Sequence, residues 1–305
     1  MSMRTTFAEQ IEEIGDRDSR LVLLVGDISH GIMKRFAAKH PERYYNIGIC
    51  EPAMVNMASG LSHVGLIPVL HTIAPFLIER SFEQLKLDFA YQKRSVNLVS
   101  VGSGFDYSKL GCSHHCYTDI ALIRQLPNSR VFVPGSNAEF ESQFNTWYDK
   151  PGINYFRLSE NDHQIEFDKD SKQNVFREGL DLTIVALGPR LPAALEAAEK
   201  LGAASVSAEV IYLSDFSEQN IDNVRSSVKK TRRLITVEEH SVQGGLNSFI
   251  TSALSEESFQ IEALGVRDFI HAYGSYGELC EVAGVSTDSI VSAAFRLIKG
   301  LEQAP

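Results

Sequence analysis

The sequence has few cysteines and no long apolar run. Four cysteines in 305 residues argue against a disulfide scaffold and fit a reducing compartment. No apolar stretch approaches the roughly 20 residues that a membrane-spanning helix needs. The first 20 residues have an amphipathic pattern with several acids and no apolar signal core, so we expect a mature cytoplasmic protein.

Positive charge is also in short supply. The chain has 29 lysines and arginines against 39 acidic residues, which gives a formal net charge of −10. This balance disfavours nucleic acid and anionic membrane surfaces as the main partners. The hydrophobic share of 44% and the charged share of 22% are ordinary for a globular enzyme, and the length allows two domains.

The usual phosphate-binding motifs are missing. The sequence contains no P-loop, no strand followed by G-x-G-x-x-G and no G-x-S-x-G nucleophile elbow. The missing dinucleotide fingerprint disfavours a nicotinamide-dependent oxidoreductase. Gly244 and Gly245 precede a helical pattern whose N-terminus could bind an anion. We expect any phosphate that the protein handles to be held mostly by something else.

What is present is an alternation of short β-rich runs with helical patterns, clearest as a helix over residues 76–92. This alternation predicts an α/β fold with parallel strands and helices on both faces. Residues 160–178 are polar and acidic, and the alternation restarts after them. We therefore predict two doubly wound domains with a boundary near 165–175: a mostly parallel-sheet domain over 1–168 and a smaller α/β domain over 169–305.

The stretch "NIGICEPAM" places one carboxylate, Glu51, between a strand-like run and an apolar helix pattern. Pro52 favours an extended residue before it and suits the first turn of a helix. Glu51 is then either an acid favoured by a helix N-terminus or a functional carboxylate in a poorly solvated place. Met54, Met57, Ala58 and Leu61 form the predicted apolar stripe of that helix.

A second candidate is "LGCSHHCYTD", residues 110–119, which follows a strand and a glycine-bearing loop. A Cys₂His₂ zinc site is one interpretation, although the ligand spacing is unlike the usual two separated pairs. Two structural loop histidines are another. The third is a catalytic histidine at the carboxyl edge of a parallel sheet, where α/β folds usually build their sites.

The combined motifs resemble the transketolase family. "YYNIGICEPAMVNMASGLSHVG" and "GCSHHCYTDIALIRQLPNSRVFVPGS" are similar to its pyrimidine-binding domain, and "LITVEEHSVQGGLNSFI" is similar to its C-terminal domain. The closest resemblance is to the C-terminal subunit of split transketolases, whose two halves are separate chains. That implies a thiamine diphosphate-dependent transferase moving a two-carbon ketol unit from a ketose to an aldose.

The resemblance also implies what lies outside this chain. The family's G-D-G motif and downstream Asn, which hold Mg²⁺ (or Ca²⁺) and the coenzyme diphosphate, are absent apart from a superficial "GDI" at 26–28. An N-terminal transketolase subunit would supply them in an α₂β₂ heterotetramer. No metal ligand is then expected in this chain.

The resemblance assigns roles to individual residues. Glu51 matches the glutamate that hydrogen-bonds N1′ of the aminopyrimidine and favours its imino tautomer, and His114 matches the histidine that contacts donor hydroxyls. Phe76 and Ile73 match positions packing against the pyrimidine, although Ile73 replaces a more usual aromatic. The remaining matches are Asp27 and Ile28 near the coenzyme, and Arg4, a phosphate-contacting arginine. His30 and His115 are left as histidines that could reach the substrate.

Three departures concern the substrate. Glu160 stands where sugar-phosphate enzymes of the family have an arginine, and its charge would repel a phosphate. Leu110 replaces an aspartate that contacts a donor hydroxyl, and Gly102 stands where some members have a histidine. These changes predict a non-standard sugar, nucleotide-linked or unphosphorylated. The alternatives are the β-subunit of a 2-oxoacid dehydrogenase E1 component and a non-catalytic partner that kept the fold.

Overall fold

The computed structural model of the chain describes residues 2–163, 165 and 174–299. These residues divide into two units: the first contains the described residues of 2–107 and 113–162, and the second contains those of 108–112 and 163–299. The predicted boundary between residues 168 and 169 lies outside the described residues. None of the described helices is long and apolar enough to cross a membrane.

The first unit is built on a six-stranded parallel sheet with the strand order β2-β1-β3-β4-β6-β5. Successive residues of β1, β4 and β6 are all buried. Because neighbouring side chains of a strand point to opposite faces, this burial shows that both faces of the sheet are covered. The strands are β1 Leu21–Val25, β2 Tyr44–Asn46, β3 Ile67–Ile73, β4 Val96–Val101, β5 Ser129–Phe132 and β6 Ile153–Arg157.

The helices of the first unit alternate with its strands, as the periodicity predicts. One side of the core is an aromatic cluster in which Phe7, Phe140, Phe144 and Phe156 pack edge to face or stacked, with ring centroids 5.1–6.2 Å apart. The helices are α1 Met3–Arg17, α2 Lys34–Lys39, α3 Glu51–His63, α4 Phe82–Gln84, α5 Asp119–Arg124 and α6 Asn137–Trp147.

The second unit has a five-stranded sheet with the order β11-β10-β8-β9-β7, parallel except for the pair of β7 with β9. Its strands are β7 Val175–Arg177, β8 Leu182–Leu187, β9 Ala208–Leu213, β10 Arg233–Ser241 and β11 Gln260–Val266. Its helices are α7 Leu191–Ala203, α8 Glu218–Thr231, α9 Leu246–Ala253, α10 Tyr276–Val282 and α11 Thr287–Lys299. The predicted fold class, two α/β domains with mostly parallel sheets, is confirmed.

Two local predictions were wrong. The helix expected over 76–92 is interrupted: two π-helical segments, Pro75–Glu79 and Leu85–Tyr91, flank the short α4. The extra residue in each π turn re-aims the side chains that follow it. The apolar stripe of α3 is also narrower than predicted, because Met57 is 45% exposed while Met54 and Ala58 are buried.

Candidate active site

The predicted site residues of the first unit follow the carboxyl ends of its parallel strands, the edge at which α/β sheets bind ligands. These residues lie after five of the six strands. Asp27 and Ile28 follow β1, Glu51 follows β2, Phe76 follows β3, Gly102 follows β4, and Glu160 follows β6.

Glu51 is the first residue of α3 and is only 1% exposed. Within the described chain, the N-cap residue Cys50 makes no side-chain capping hydrogen bond. The carboxylate of Glu51 accepts a hydrogen bond from Arg80, whose Nη1 lies 2.7 Å from Oε2. An acid that only favours a helix N-terminus can stay exposed to solvent. Glu51 is buried, where an unpaired charge would be costly, and it has a charged partner.

Arg80 also lies across the ring of Phe76. Its guanidinium carbon is 4.1 Å from the ring centroid, well inside the distance for a cation–π contact. The π-helical turn Pro75–Glu79 carries Phe76, and Arg80 closes that turn by donating its backbone N–H to the carbonyl of Pro75. Arg80 therefore links the two groups, since its guanidinium contacts both the ring of Phe76 and the carboxylate of Glu51.

His114 contacts the ring of Phe76. Its ring meets Phe76 edge to face at a centroid distance of 5.3 Å and Tyr107 at 6.2 Å. Ser113 Oγ is 3.0 Å from His114 Nδ1. A chain of contacts thus runs from Glu51 through Arg80 and Phe76 to His114. Glu51, Phe76 and His114 are the residues that the resemblance places on the coenzyme and the donor.

A buried polar cluster fixes the loop that carries His114. The backbones of Gly104 and Cys116 pair in both directions. Arg157 Nη2 donates to the carbonyl of Cys116 from 3.1 Å, and Arg157 Nε donates to Asp119 from 2.7 Å. Burial raises the pKa of the Tyr155 hydroxyl well above its usual value, so this group stays protonated and donates to Asp119 over 2.6 Å.

A chain of hydrogen bonds fixes the turn after β1. His71 Nδ1 donates to the carbonyl of Val99 over 2.8 Å, so the neutral ring accepts at Nε2 from Ser29 Oγ, also over 2.8 Å. Ser29 in turn accepts from Arg4 over 2.9 Å. Burial lowers the pKa of His71 to about 4, which keeps the ring neutral. This chain holds Ser29 at a left-handed φ of 60° beside Ile28.

Arg4 and Glu160 form an ion pair with 3.6 Å between Nη1 and Oε1, and their side chains are 30% and 44% exposed. Asp106 fixes the segment around Glu160 by accepting from its backbone N–H at 2.9 Å and from Ser159 Oγ at 2.9 Å. Arg4, which the resemblance assigns to a phosphate, is therefore paired with Glu160. Glu160 itself stands where the resemblance expects a second arginine.

Two residues of the site were missed by the sequence analysis. Arg80 had a signal, since it lies four residues after Phe76 on the predicted helical face. Tyr107 had none: its ring covers Gly102, where an added Cβ would lie 2.4 Å from the ring, and Gly102 has a φ of +72°. Tyr107 thus fills the space beside Gly102.

The other predicted residues have simpler surroundings. Asp27 is exposed and exchanges hydrogen bonds with Asn46, with distances of 3.1 Å. His30 is exposed, Ile73 is half-buried, and His115 is buried. Leu110 is 52% exposed and belongs to the segment Ser108–Cys112 that groups with the second unit. Across the described ranges, no three histidine, cysteine or acidic side chains are placed to hold one metal ion.

The predicted anion site at Gly244–Gly245 is corrected by the second unit. The carboxylate of Glu238, which is fully buried, accepts from the backbone N–H groups of Leu246 at 2.6 Å and Asn247 at 2.9 Å. An added Cβ on Gly245 would lie 2.0 Å from Glu238 Oε2. The glycine therefore admits an internal carboxylate to the helix N-terminus rather than a ligand.

Two family models match most of the chain. The pyrimidine binding domain of transketolase matches residues 1–164, and the transketolase C-terminal domain matches residues 171–290. An apulose-4-phosphate transketolase subunit from Phocaeicola vulgatus is 28% identical over 306 residues, 98% of each chain. A 6-deoxy-6-sulfo-D-fructose transketolase subunit from a Clostridium species is 31% identical over 303 residues, 96% of this chain and 93% of the relative.

A solved structure is similar over the same extent. The split gene transketolase described as an inactive beta4 tetramer superimposes with a TM-score of 0.87 and 32% identity, covering 98% of this chain and 99% of that one. These relatives confirm the predicted relationship to C-terminal subunits of split transketolases, and with it a transketolase-type transferase. Membership implies thiamine diphosphate as the cofactor. The chain belongs to the transketolase family.

Proposed function

We propose that this chain is the subunit of a two-chain transketolase that binds the aminopyrimidine of thiamine diphosphate and transfers a two-carbon ketol unit between sugars. The observation that carries the proposal is the buried carboxylate of Glu51, which one guanidinium, that of Arg80, joins to the ring of Phe76, with the ring of His114 5.3 Å from the ring of Phe76. All three lie at the carboxyl edge of a parallel sheet, where such sites form.

The residues fit the coenzyme's pyrimidine. Glu51 already accepts from a planar N–H donor that lies over Phe76, and an aminopyrimidine protonated at N1′ offers the same combination of flat ring and hydrogen-bond donor. Gly26 lies next to this carboxylate: a Cβ there would lie 3.6 Å from Glu51 Oε1, and its closest contact would be Thr72 Oγ1 at 2.8 Å. Ile73 and Ile28 complete the proposed apolar lining, with Asp27 at its outer edge.

Thiamine diphosphate, when bound, supplies the carbon nucleophile for the transfer. Glu51 would hold the proton at N1′ of the pyrimidine, in a place from which water is excluded by burial. Phe76 would fix the plane of the ring. His114, which is half-buried, would contact donor hydroxyls, with His30 further out.

The partner in this proposal is an N-terminal transketolase subunit that carries the diphosphate-binding domain and its Mg²⁺ or Ca²⁺. The support is that this sequence has no G-D-G motif with a downstream Asn, while its relatives are named as subunits. An α₂β₂ heterotetramer is the proposed assembly. The proposed location is the cytoplasm, which the four free cysteines Cys50, Cys112, Cys116 and Cys280 support. The proposed domains remain 1–168 and 169–305.

The proposed sugar is not a standard pentose phosphate. The ion pair of Arg4 with Glu160 reduces the positive charge available for a phosphate, and Tyr107 occupies the space beside Gly102. The named relatives act on apulose 4-phosphate and on 6-deoxy-6-sulfo-D-fructose. Efficient turnover of xylulose 5-phosphate with ribose 5-phosphate, as in ordinary transketolases, would contradict this part.

The test of Glu51 is the Glu51→Gln variant in the reconstituted two-chain complex. General acid–base groups contribute about 10²–10⁴-fold to rate, so we expect a loss of that order in ketol transfer while the variant stays folded. Deuterium exchange at C2 of bound thiamine diphosphate measures the proton control directly and should slow by a similar factor.

The matched control is Glu139→Gln, which changes another first-turn acid of a helix in the same unit. It should leave both rates unchanged. If Glu51 were only a helix-end acid, the two variants would behave alike and ketol transfer would survive both. A complex that binds coenzyme but transfers nothing in the wild type would favour the non-catalytic alternative.

A further inference from the structure

The inference concerns Arg80. Its guanidinium makes two contacts at once: Nη1 donates to Glu51 Oε2 over 2.7 Å, and its central carbon lies 4.1 Å from the centroid of Phe76. The carboxylate is 1% exposed, whereas the arginine side chain is 41% exposed. The side chain of Arg80 is therefore partly exposed to solvent, while its guanidinium reaches a buried carboxylate.

These two contacts are the ones that the proposed function assigns to the aminopyrimidine. A guanidinium is planar and carries N–H donors at its rim, so it can lie over an aromatic ring and donate to a carboxylate in the same way. Two groups cannot cover the same face of Phe76 while donating to the same oxygen. We propose, on the basis of that proposed function, that Arg80 occupies the pyrimidine position in the free chain and is displaced when the coenzyme binds.

The surroundings of Arg80 suit such an exchange. The carboxylate needs a partner at all times, because an unpaired buried charge is costly, and Arg80 provides one in the free chain. The guanidinium can leave Glu51 with a small loss of free energy, because it is already partly hydrated and its ion pair is weakened by solvent. The backbone N–H of Arg80 stays bonded to Pro75, so a change of side-chain rotamer is sufficient.

The exchange has a measurable consequence. When Arg80 covers the site for part of the time, the apparent Kd for the coenzyme equals the intrinsic Kd divided by the fraction of time that the site is open. Removing the guanidinium should tighten binding by about tenfold, the scale set by a partly exposed ion pair and its stacking contact. It should also weaken the free chain, because Glu51 then loses its partner.

The experiment compares Arg80→Met and Arg80→Lys with the wild type in the reconstituted two-chain complex. Calorimetric titration with thiamine diphosphate at fixed Mg²⁺ should give about tenfold tighter binding for Arg80→Met and an intermediate value for Arg80→Lys. Thermal unfolding of the free chain should show a lower midpoint for Arg80→Met. Arg35→Met is the control, because Arg35 is an exposed arginine paired with a mostly buried Glu12 and should not change coenzyme binding.

Unchanged or weaker coenzyme binding by both Arg80 variants would overturn the inference while leaving the role of Glu51 intact. An unchanged midpoint for the free Arg80→Met chain would also overturn it. If the wild-type complex binds no thiamine diphosphate, or if Glu51→Ala binds it as tightly as the wild type, the proposed function fails and the inference fails with it. Arg80→Lys keeps the comparison available if Arg80→Met does not fold.

Discussion

Arg157 Nε lies 2.7 Å from Asp119 Oδ2, and the two side chains are only 2% and 0% exposed. This buried ion pair is bonded to the loop that carries His114, because Arg157 also donates to the carbonyl of Cys116. The pair joins strand β6 to the start of α5. The stability of the first unit and the position of a proposed substrate-binding residue therefore depend on the same contact.

Replacing Arg157 with Leu should destabilise the protein by about 3–5 kcal/mol, because Asp119 is left as an uncompensated buried charge. Denaturant unfolding of the first-unit transition measures this loss. The double variant Arg157→Leu with Asp119→Leu should recover much of it, since no charge is then stranded. Lys150→Leu, which removes an exposed pair with Asp149, should leave the unfolding midpoint unchanged. A single Arg157 variant as stable as the wild type would contradict the assignment.

Glu160→Gln should shift the substrate preference towards phosphorylated aldoses. The change frees Arg4 from its ion pair and removes a repulsive charge, so kcat/KM for a phosphorylated acceptor should rise by about 3- to 10-fold relative to an unphosphorylated one. Steady-state kinetics of the two-chain complex with matched acceptors tests this.

The control for Glu160 is Glu13→Gln, which makes the same charge change on α1, nine residues beyond Arg4 or about 13 Å along the helix. It should leave the ratio of the two kcat/KM values unaltered. An equal ratio in the wild type and in Glu160→Gln would mean that this acid does not select against phosphate.

His71 should make the first unit sensitive to acid. Its pKa is lowered by burial from 6.5 to about 4, so below pH 6.5 the unfolded chain binds a proton that the folded chain does not bind. The free energy of unfolding is therefore highest above pH 6.5 and decreases as the pH falls towards 4, by up to about 3 kcal/mol.

Denaturant unfolding between pH 7 and pH 4 measures that slope, and His71→Asn should flatten it. The exposed His63 offers a comparison, because His63→Asn should retain the wild-type slope. A His71→Asn curve parallel to the wild-type curve would show that other groups cause the acid sensitivity.

Glu238→Ala should expose the N-terminus of α9. The variant loses the two hydrogen bonds to Leu246 and Asn247 and the favourable charge at the helix end, a loss of about 2 kcal/mol in the free energy of unfolding. Sulfate should then raise the melting temperature of the variant more than that of the wild type, because an anion can replace the carboxylate. Glu218→Gln, an exposed first-turn acid of α8, should show no such sulfate response. Equal sulfate effects on wild type and Glu238→Ala would contradict the internal cap.

The sequence was sufficient to predict both α/β domains, the strand that leads to Glu51 and the helix that starts there. These features follow from local rules: the period of apolar residues separates strand from helix, and Pro52 marks the first turn. A catalytic histidine at the carboxyl edge of a parallel sheet was one of three interpretations of residues 110–119, and the pairing of His114 with Glu51 came from the family resemblance. The roles of these two residues stay proposals, which rest on motifs within the part of the chain that the family's pyrimidine binding domain matches.

Contacts between distant segments could not be predicted in the same way. Arg80 reaches Glu51 only because a π-helical turn re-aims it, and Tyr107 lies on Gly102 only because the loop after β4 folds back. Glu238 caps the helix that begins after Gly245, and its position depends on how β10 packs against its neighbours. The sequence pattern at Gly244–Gly245 suggested a site for a bound anion, but an internal carboxylate takes that place. Local periodicity determines which elements form, whereas the partner of each buried charge depends on packing between elements, which desolvation makes decisive.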